Sequence, residues 1–167
     1  MKLLRILPLL LAGVVSSILL GAEENFLDMG AIQGHSNTKG YEKQITILGF
    51  SYGGSTLQKV TGFNSIVFSK AFDTASPKVL EAAVKGTRLP EVIFTMTRVD
   101  GTDTRVAFAR VVMKDVVVTG IQIRGDEGGG ATEDMTLQYD RADWCEKPQN
   151  RDGTFGTEVC TSIVSNK

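Results

Sequence analysis

The residues able to do chemistry in this chain are few, and their spacing suits none of the common reactions. The single histidine, His35, lies in a Gly34-His35-Ser36-Asn37 turn. A nucleophilic serine needs a base within hydrogen-bond reach and a carboxylate behind that base. Adjacency in sequence does not supply this geometry, so His35 reads as a solvated loop residue. Asp100-Gly101-Thr102-Asp103 offers two carboxylates, but a calcium loop needs more oxygen ligands and a closing Glu. A hairpin turn accounts for it. Asp126-Glu127-Gly128-Gly129-Gly130 is glycine-rich, yet a phosphate cradle wants a Lys and a following helix. It reads as a loop. Glu133-Asp134, Asp140 and Asp143 are expected on a strand and its end, with their carboxylates in water. Trp144, the one tryptophan, reads as a core or edge residue rather than a sugar platform. We therefore expect no catalytic, cofactor or metal site, and a non-enzymatic protein.

The two cysteines, Cys145 and Cys160, take their meaning from the other end of the chain. Met1-Lys2-Leu3-Leu4-Arg5 is a short positive region. Residues 6–20 are apolar, interrupted by Pro8, Gly13, Ser16 and Ser17. Leu20-Gly21-Ala22 places a small residue before the acidic Glu23-Glu24. This is the pattern of a secretory signal peptide over residues 1–22. The other reading is an uncleaved anchor, but the stretch is short beside the roughly 20 apolar residues of a membrane span. No Cys follows the apolar run, which argues against a lipoprotein. The expected location is the periplasm or the outside of the cell. There, a lone pair of cysteines is most simply a disulfide. It would close a loop of about 15 residues, worth ~3 kcal/mol on a chain-entropy account. A redox or metal pair would want CxxC spacing or a nearby His. The expected Cys145–Cys160 bond staples a C-terminal tail, residues 148–167, to a domain over residues 23–147.

The chain has 167 residues with net charge −1. Removing residues 1–22 takes two of the 18 basic residues and none of the 19 acidic ones, leaving a net charge of −3. That gives no electrostatic case for nucleic acid or an anionic membrane. The remaining length suits one domain with a real core. Eighteen glycines and four prolines suit a turn-rich β protein.

About eight strands are expected. Residues 26–33 form the first, weakly patterned. Residues 44–52 alternate, but their phase changes at Leu48 or Gly49, which implies a bulge. Residues 64–72 and 91–99 follow, the latter ending at a hairpin signal, Asp100-Gly101. Strands at 105–113 and 116–123 come next, and residues 135–144 close the domain. Val111-Val112-Met113 and Val116-Val117-Val118 are apolar on both faces. They demand either a covering element or a subunit interface. The only good helix spans about 77–85. Ser76 suits its N-cap, Pro77 its first position, and Gly86 its left-handed end. Val79, Leu80, Ala83 and Val84 form its apolar stripe. The fold class is mainly β, a small two-sheet antiparallel barrel or sandwich with one short helix.

The helix region carries a resemblance. Asp73-Thr74-Ala75-Ser76-Pro77-Lys78, followed by a short Ala-rich helix, resembles the haemolysin-coregulated protein (Hcp) family, the tube protein of bacterial type VI secretion. Gln44-Ile45-Thr46-Ile47-Leu48-Gly49-Phe50-Ser51-Tyr52-Gly53 is similar to that family's strand ending in Ser-aromatic-Gly. Val112-Met113-Lys114-Asp115-Val116-Val117-Val118 resembles its central strand. Glu133-Asp134-Met135-Thr136-Leu137-Gln138-Tyr139, through Trp144, resembles its closing strand. These segments keep the family's order over residues 26–147. The resemblance implies a small barrel with the helix at its side and six-membered rings that stack head to tail. It further implies a lumen for effector cargo and contact with a secretion spike protein. In that family the loop matching residues 53–62 is often longer and reaches a neighbouring subunit. The signal peptide is a departure from the family. The alternatives are an exported monomeric binding module on the same fold, or a hydrolase whose site the sequence hides.

Overall fold

Alternation of inward apolar and outward polar residues builds most of the sheet, and one polar exception within it organises the helix. The structure is a computed structural model, and it describes residues 23–53, 65–100, 104–125 and 127–164. The expected signal peptide, residues 54–62 of the connecting loop, the hairpin tip at 101–103 and Asp126 lie outside the described residues.

The described elements run β1 (Glu24–Asp28), β2 (Ile45–Ile47), β3 (Gly49–Tyr52), β4 (Ser65–Ala71), α1 (Ser76–Lys85), β5 (Arg88–Val99), β6 (Arg105–Gly125), β7 (Ala131–Gln138), β8 (Arg141–Glu146) and β9 (Val159–Val164). All pairings are antiparallel. The hydrogen-bonded order is β2-β1-β5-β6-β7-β4-β3. Its two ends, β2 and β3, are separated in the chain only by Leu48. The path therefore closes on itself, as a barrel must if it is to leave no raw edge. Leu48 N–H donates to the Ser69 carbonyl at 2.8 Å, carrying the pairing across the break. The expected bulge at Leu48 is thus the corner where one chain segment changes partner, from β1 to β4.

Several boundaries differ from the sequence reading. The first strand stops at Asp28, where the Asp28 carboxylate accepts the Gly30 N–H and Gly30 takes φ 63°. The two strands expected at 105–113 and 116–123 are one strand, β6. Asp115, between the two expected strands, takes φ 54° inside it while pairing to β5 continues. Asp is among the few residues that tolerate this conformation. Conversely, the single closing strand is two, β7 and β8, interrupted at Tyr139-Asp140 and both paired along β6. The tail holds a strand the sequence reading lacks, β9, paired to β8. On the outer face of β6, Val112 and Val117 are half-buried.

The helix spans Ser76–Lys85 and ends as expected, with Gly86 at φ 60°. Thr87 N–H donates to the Ala82 carbonyl at 2.9 Å. Its start and its face differ. Ala75 holds the cap position without a side-chain bond, Ser76 is the first helical residue and Pro77 the second. The buried residues are Ser76, Val79 and Ala82, while Leu80 and Val84 face outward. Burial at i, i+3 and i+6 means the helix is rotated away from the stripe that hydrophobicity alone selects. The cause lies in the cluster described below.

The core gathers inward residues of β1, β2, β4, β5, β6 and β7, among them Leu27, Ile45, Phe68, Phe94, Met113 and Met135, with Tyr52 of β3 packed against it. Phe94 lies edge-on to both Phe50 and Phe68, with centroids 4.9 Å apart in each case. Tyr139, at the break between β7 and β8, is fully enclosed. Burial, aided by the neighbouring Tyr52, pushes its phenol far above the ordinary value of 10.0. The folded chain therefore keeps Tyr139 neutral where the unfolded chain ionises. That stability is complete below about pH 10 and drains away as pH rises above it. Urea unfolding at stepped pH is expected to show a stability decline setting in near about pH 10, at up to ~1.4 kcal/mol per pH unit for this group. Tyr139→Phe should flatten that decline; an unchanged alkaline slope would contradict the assignment.

Candidate functional site

Lys70 is the fully buried cation of the described core. Alternation along β4 turns Ile66, Phe68 and Lys70 inward, and its ammonium is 0 % exposed. Register places Lys70 opposite Glu133 of β7. Lys70 Nζ lies 2.8 Å from Glu133 Oε1 and 2.7 Å from Asp73 Oδ1, both carboxylates buried. It also reaches Ser76 Oγ at 2.9 Å and the Ala71 carbonyl at 2.8 Å. Four acceptors thus surround a group with three N–H donors.

The same four residues shape the chain. Ser76 Oγ accepts the Asp73 N–H at 2.9 Å, and Asp73 Oδ1 accepts the Ala75 N–H at 2.9 Å. Asp73 therefore serves the helix start in the way a capping side chain does. Ser76, drawn inward to the ammonium, fixes the rotational phase of α1. This corrects two sequence expectations: Ser76 is an anchor rather than an N-cap, and Glu133 is buried rather than solvated. A carboxylate taken from water is tolerable only beside such a cation. These contacts run to the ammonium and the helix start, so the cluster positions the helix.

The remaining carboxylates behave as surface groups. Asp134 faces outward beside Ser69 and Arg124, with Arg124 Nη1 at 2.7 Å. The Ser69 hydroxyl chiefly, and then Arg124, hold its pKa below the usual range. Asp140 pairs with Arg88 at 3.2 Å and Asp143 with Arg141 at 2.9 Å. β5 pairs with β6 as far as Val99 and Arg105, and the Asp100 carboxylate accepts the Thr104 N–H at 3.0 Å. His35 is 65 % exposed and its Nδ1 lies 3.5 Å from Asp73 Oδ2. Its neighbour Ser36 is buried, with its hydroxyl accepting the Thr38 N–H at 3.2 Å. The two do not form a nucleophile and base.

The structure brings two other surfaces into view. On α1, Leu80 is 46 % and Val84 80 % exposed, one turn apart. They run beside a charged row in which Glu81 bridges Lys78 at 2.8 Å and Lys85 at 2.5 Å. Lys78, and then Lys85, draw the Glu81 pKa down to about 2. Phe72, just before the helix, and Ile123 near the end of β6 are also half-exposed. At the far end of β6, Cys145 and Cys160 face each other across β8 and β9, joined by a disulfide with Cα atoms 4.1 Å apart. Beside them lies an apolar cleft of about 440 Å³ lined by Met96, Phe108, Trp144 and Val159, among others. Trp144 packs against Tyr52 with centroids 4.6 Å apart. Among the described residues, no helix is long and apolar enough to cross a membrane.

Sequence reasoning missed Lys70 because lysine on a strand normally signals an outward face. The available clue was its place in the alternation after Ile66 and Phe68. Lys70→Met should leave two buried carboxylates without a counter-charge and destabilise the fold by about 3–5 kcal/mol. Adding Glu133→Leu and Asp73→Asn to that variant should recover part of the loss. Urea unfolding followed by circular dichroism checks both, and a loss for Lys70→Met below about 1 kcal/mol would contradict the role given to the cluster.

Comparison with known proteins agrees with this architecture. A family model described as type VI secretion system effector, Hcp, matches residues 26–145. Protein hcp1 of Pseudomonas aeruginosa is 25% identical over 143 residues, covering 79% of this chain and 88% of that protein. The major exported protein of the same organism is 25% identical over 166 residues, covering 87% and 94%. Among solved structures, a type six secretion system protein superposes with a TM-score of 0.74 at 24% identity, covering 86% of this chain and 96% of that one. Hcp1 from Salmonella typhimurium superposes with a TM-score of 0.72 at 18% identity, covering 86% and 94%. With a family model spanning most of its barrel and these folds superposing on it, the chain belongs to the Hcp family of type VI secretion system effectors.

Proposed function

We propose that this chain is an exported, non-enzymatic subunit that assembles with copies of itself into rings, six subunits to a ring, which stack into a tube and pass effector cargo. The observation that carries the reading is the outward face of α1. A helix that buries Val79 and Ala82 yet leaves Leu80 and Val84 in water has a second apolar face to cover. Burying such a face against a neighbour is favourable by roughly 25 cal/mol per Å² of apolar surface. A heterologous contact of this kind, repeated by rotation, closes into a ring, and a second one repeated along the axis continues as a tube. The relative named a major exported protein supports export, and so does the leader-like sequence of residues 1–22. The cell is expected to remove those residues, leaving Glu23 first. The spike protein and effectors of the secretion apparatus are the partners this role implies.

The second reading is an exported monomer that binds a ligand on the same fold. The cleft beside Trp144 and the disulfide favours it, being apolar and near the size of small-molecule sites.

Native mass spectrometry of the exported protein separates the two. The first reading expects particles of six subunits, each of a mass beginning at Glu23 and lacking two hydrogens at the cysteines. Leu80→Glu with Val84→Glu should convert them to monomers while thermal unfolding of the monomer shifts little, because exposed substitutions usually stay within about 0.5 kcal/mol. Six-subunit particles that survive both substitutions would remove α1 from the contact. A wild-type monomer up to near-millimolar concentration would leave the second reading.

A further inference from the structure

Strand β9 is attached to the fold differently from every other described strand. Five of its six residues are exposed and only Ile163 is half-buried. It therefore draws little from the core. Three things hold it: the backbone ladder to β8, the Cys145–Cys160 bond, and polar contacts near its ends. Those contacts are Arg110 with Glu158 at 2.9 Å, and Ser162 with Asp143 and Arg141. All are surface contacts, which contribute little. The segment leading to β9 is tied mainly to itself, through Asn150 N–H to the Thr154 carbonyl and Gly156 N–H to the Pro148 carbonyl, each at 2.8 Å. A lightly buried outer strand with such an approach is marginal without its covalent tie.

The bond is also within reach. Cys145 is buried on β8, but Cys160, opposite it on β9, is exposed. A dithiol can attack the Cys160 sulfur through one thiolate. The Cys145–Cys160 bond breaks, and Cys145 leaves as a thiolate that takes a proton. The second thiol of the reductant then resolves the mixed disulfide and frees Cys160. The dithiol supplies the two electrons and ends as a disulfide.

We propose that β9 is a redox-controlled strap. Oxidised, it is latched over the outer edge of β8 and completes the sheet that flanks the Trp144 cleft. Reduced, it releases and leaves the backbone of Arg141–Glu146 without an outer partner. Latched, β9 is itself the outer edge of this part of the sheet. Released, it passes the open edge to β8, which carries Trp144 and Cys145. An open edge bearing such apolar side chains pairs indiscriminately with other strands and interferes with ordered assembly. In a reducing compartment the chain carries the strap unlatched, and oxidation after export latches it. Ring formation thereby waits for export. This coupling rests on the exported, self-assembling role proposed above; the strap itself does not.

Hydrogen exchange and light scattering on the purified protein, oxidised and then reduced with a dithiol, test the two parts separately. Amides of residues 159–164 should exchange about 100-fold faster once the bond is cut, following the loop-closure contribution. Amides of α1, β4 and β7 should not change. Cys145→Ser with Cys160→Ser should reproduce the reduced pattern without reductant. Equal protection of 159–164 in both forms would overturn the strap, as would loss of protection throughout the barrel. In light scattering the oxidised protein should form six-subunit particles and the reduced protein none. Assembly in both forms would overturn the coupling. An oxidised protein that never assembles would overturn the ring reading and leave the strap to be judged on exchange alone.

Discussion

A protonated amine in an apolar interior must bring its own anions, and in this protein that requirement ties together elements far apart in sequence. Lys70 draws Glu133 from β7, Asp73 from the turn before α1, and Ser76 from the first turn of the helix. The Ala75 N–H gives the Asp73 carboxylate a further donor, and the Asp73 N–H holds Ser76 Oγ in place. The arrangement is costly to desolvate and stabilises little relative to a well-packed apolar cluster of the same size. Its effect is specificity. It accepts one register of β4 against β7 and one rotational setting of α1, because any other setting strands a buried charge.

The helix setting has consequences outside the core. With Ser76 held inward, Val79 and Ala82 follow it at i+3 and i+6, and Leu80 and Val84 are carried to the outside. A helix free to maximise its own burial would have turned the larger residues in. The surplus apolar surface is thus created by the polar pin beneath it. Barrel closure shapes a second surface. β2 and β3 seal the barrel around Leu48, and the extension β8–β9 projects beyond that seal along the first half of β6. One molecule thereby presents two unlike surfaces, an apolar helix face and a disulfide-tied strand. Unlike surfaces are what head-to-tail assembly needs, since each copy must offer the next something different from what it receives.

Much of this was legible in the residues. Ile66 and Phe68, Val92 and Phe94, and Met135 and Leu137 alternate as half-buried strands should, and the structure buries each of them. The phase change at Leu48 was visible as an irregularity, though not as the seam of a barrel. What stayed hidden depends on partners distant in sequence. Lys70 and Glu133 belong to residue types rarely enclosed unless paired, and they are 63 residues apart. The true face of α1 follows from that pair, so helical periodicity alone selected Leu80 and Val84 wrongly. The break expected between residues 113 and 116 is bridged because β5 pairs with β6 before and after Asp115, while on the other side the partner changes there from β8 to β7. β9 is short and follows a polar run, and β8 is what makes it a strand. The candidate surfaces were the least legible part, since exposure is a property of the packed molecule.

Single-particle electron microscopy of the oxidised protein, at a resolution that places side chains, tests the central claim most directly. The account predicts a six-membered ring in which Leu80 and Val84 of each subunit are enclosed by its neighbour, with α1 rotated about Ser76 as in the isolated subunit. Dispersed single barrels, or a ring that leaves both residues in solvent, would contradict it.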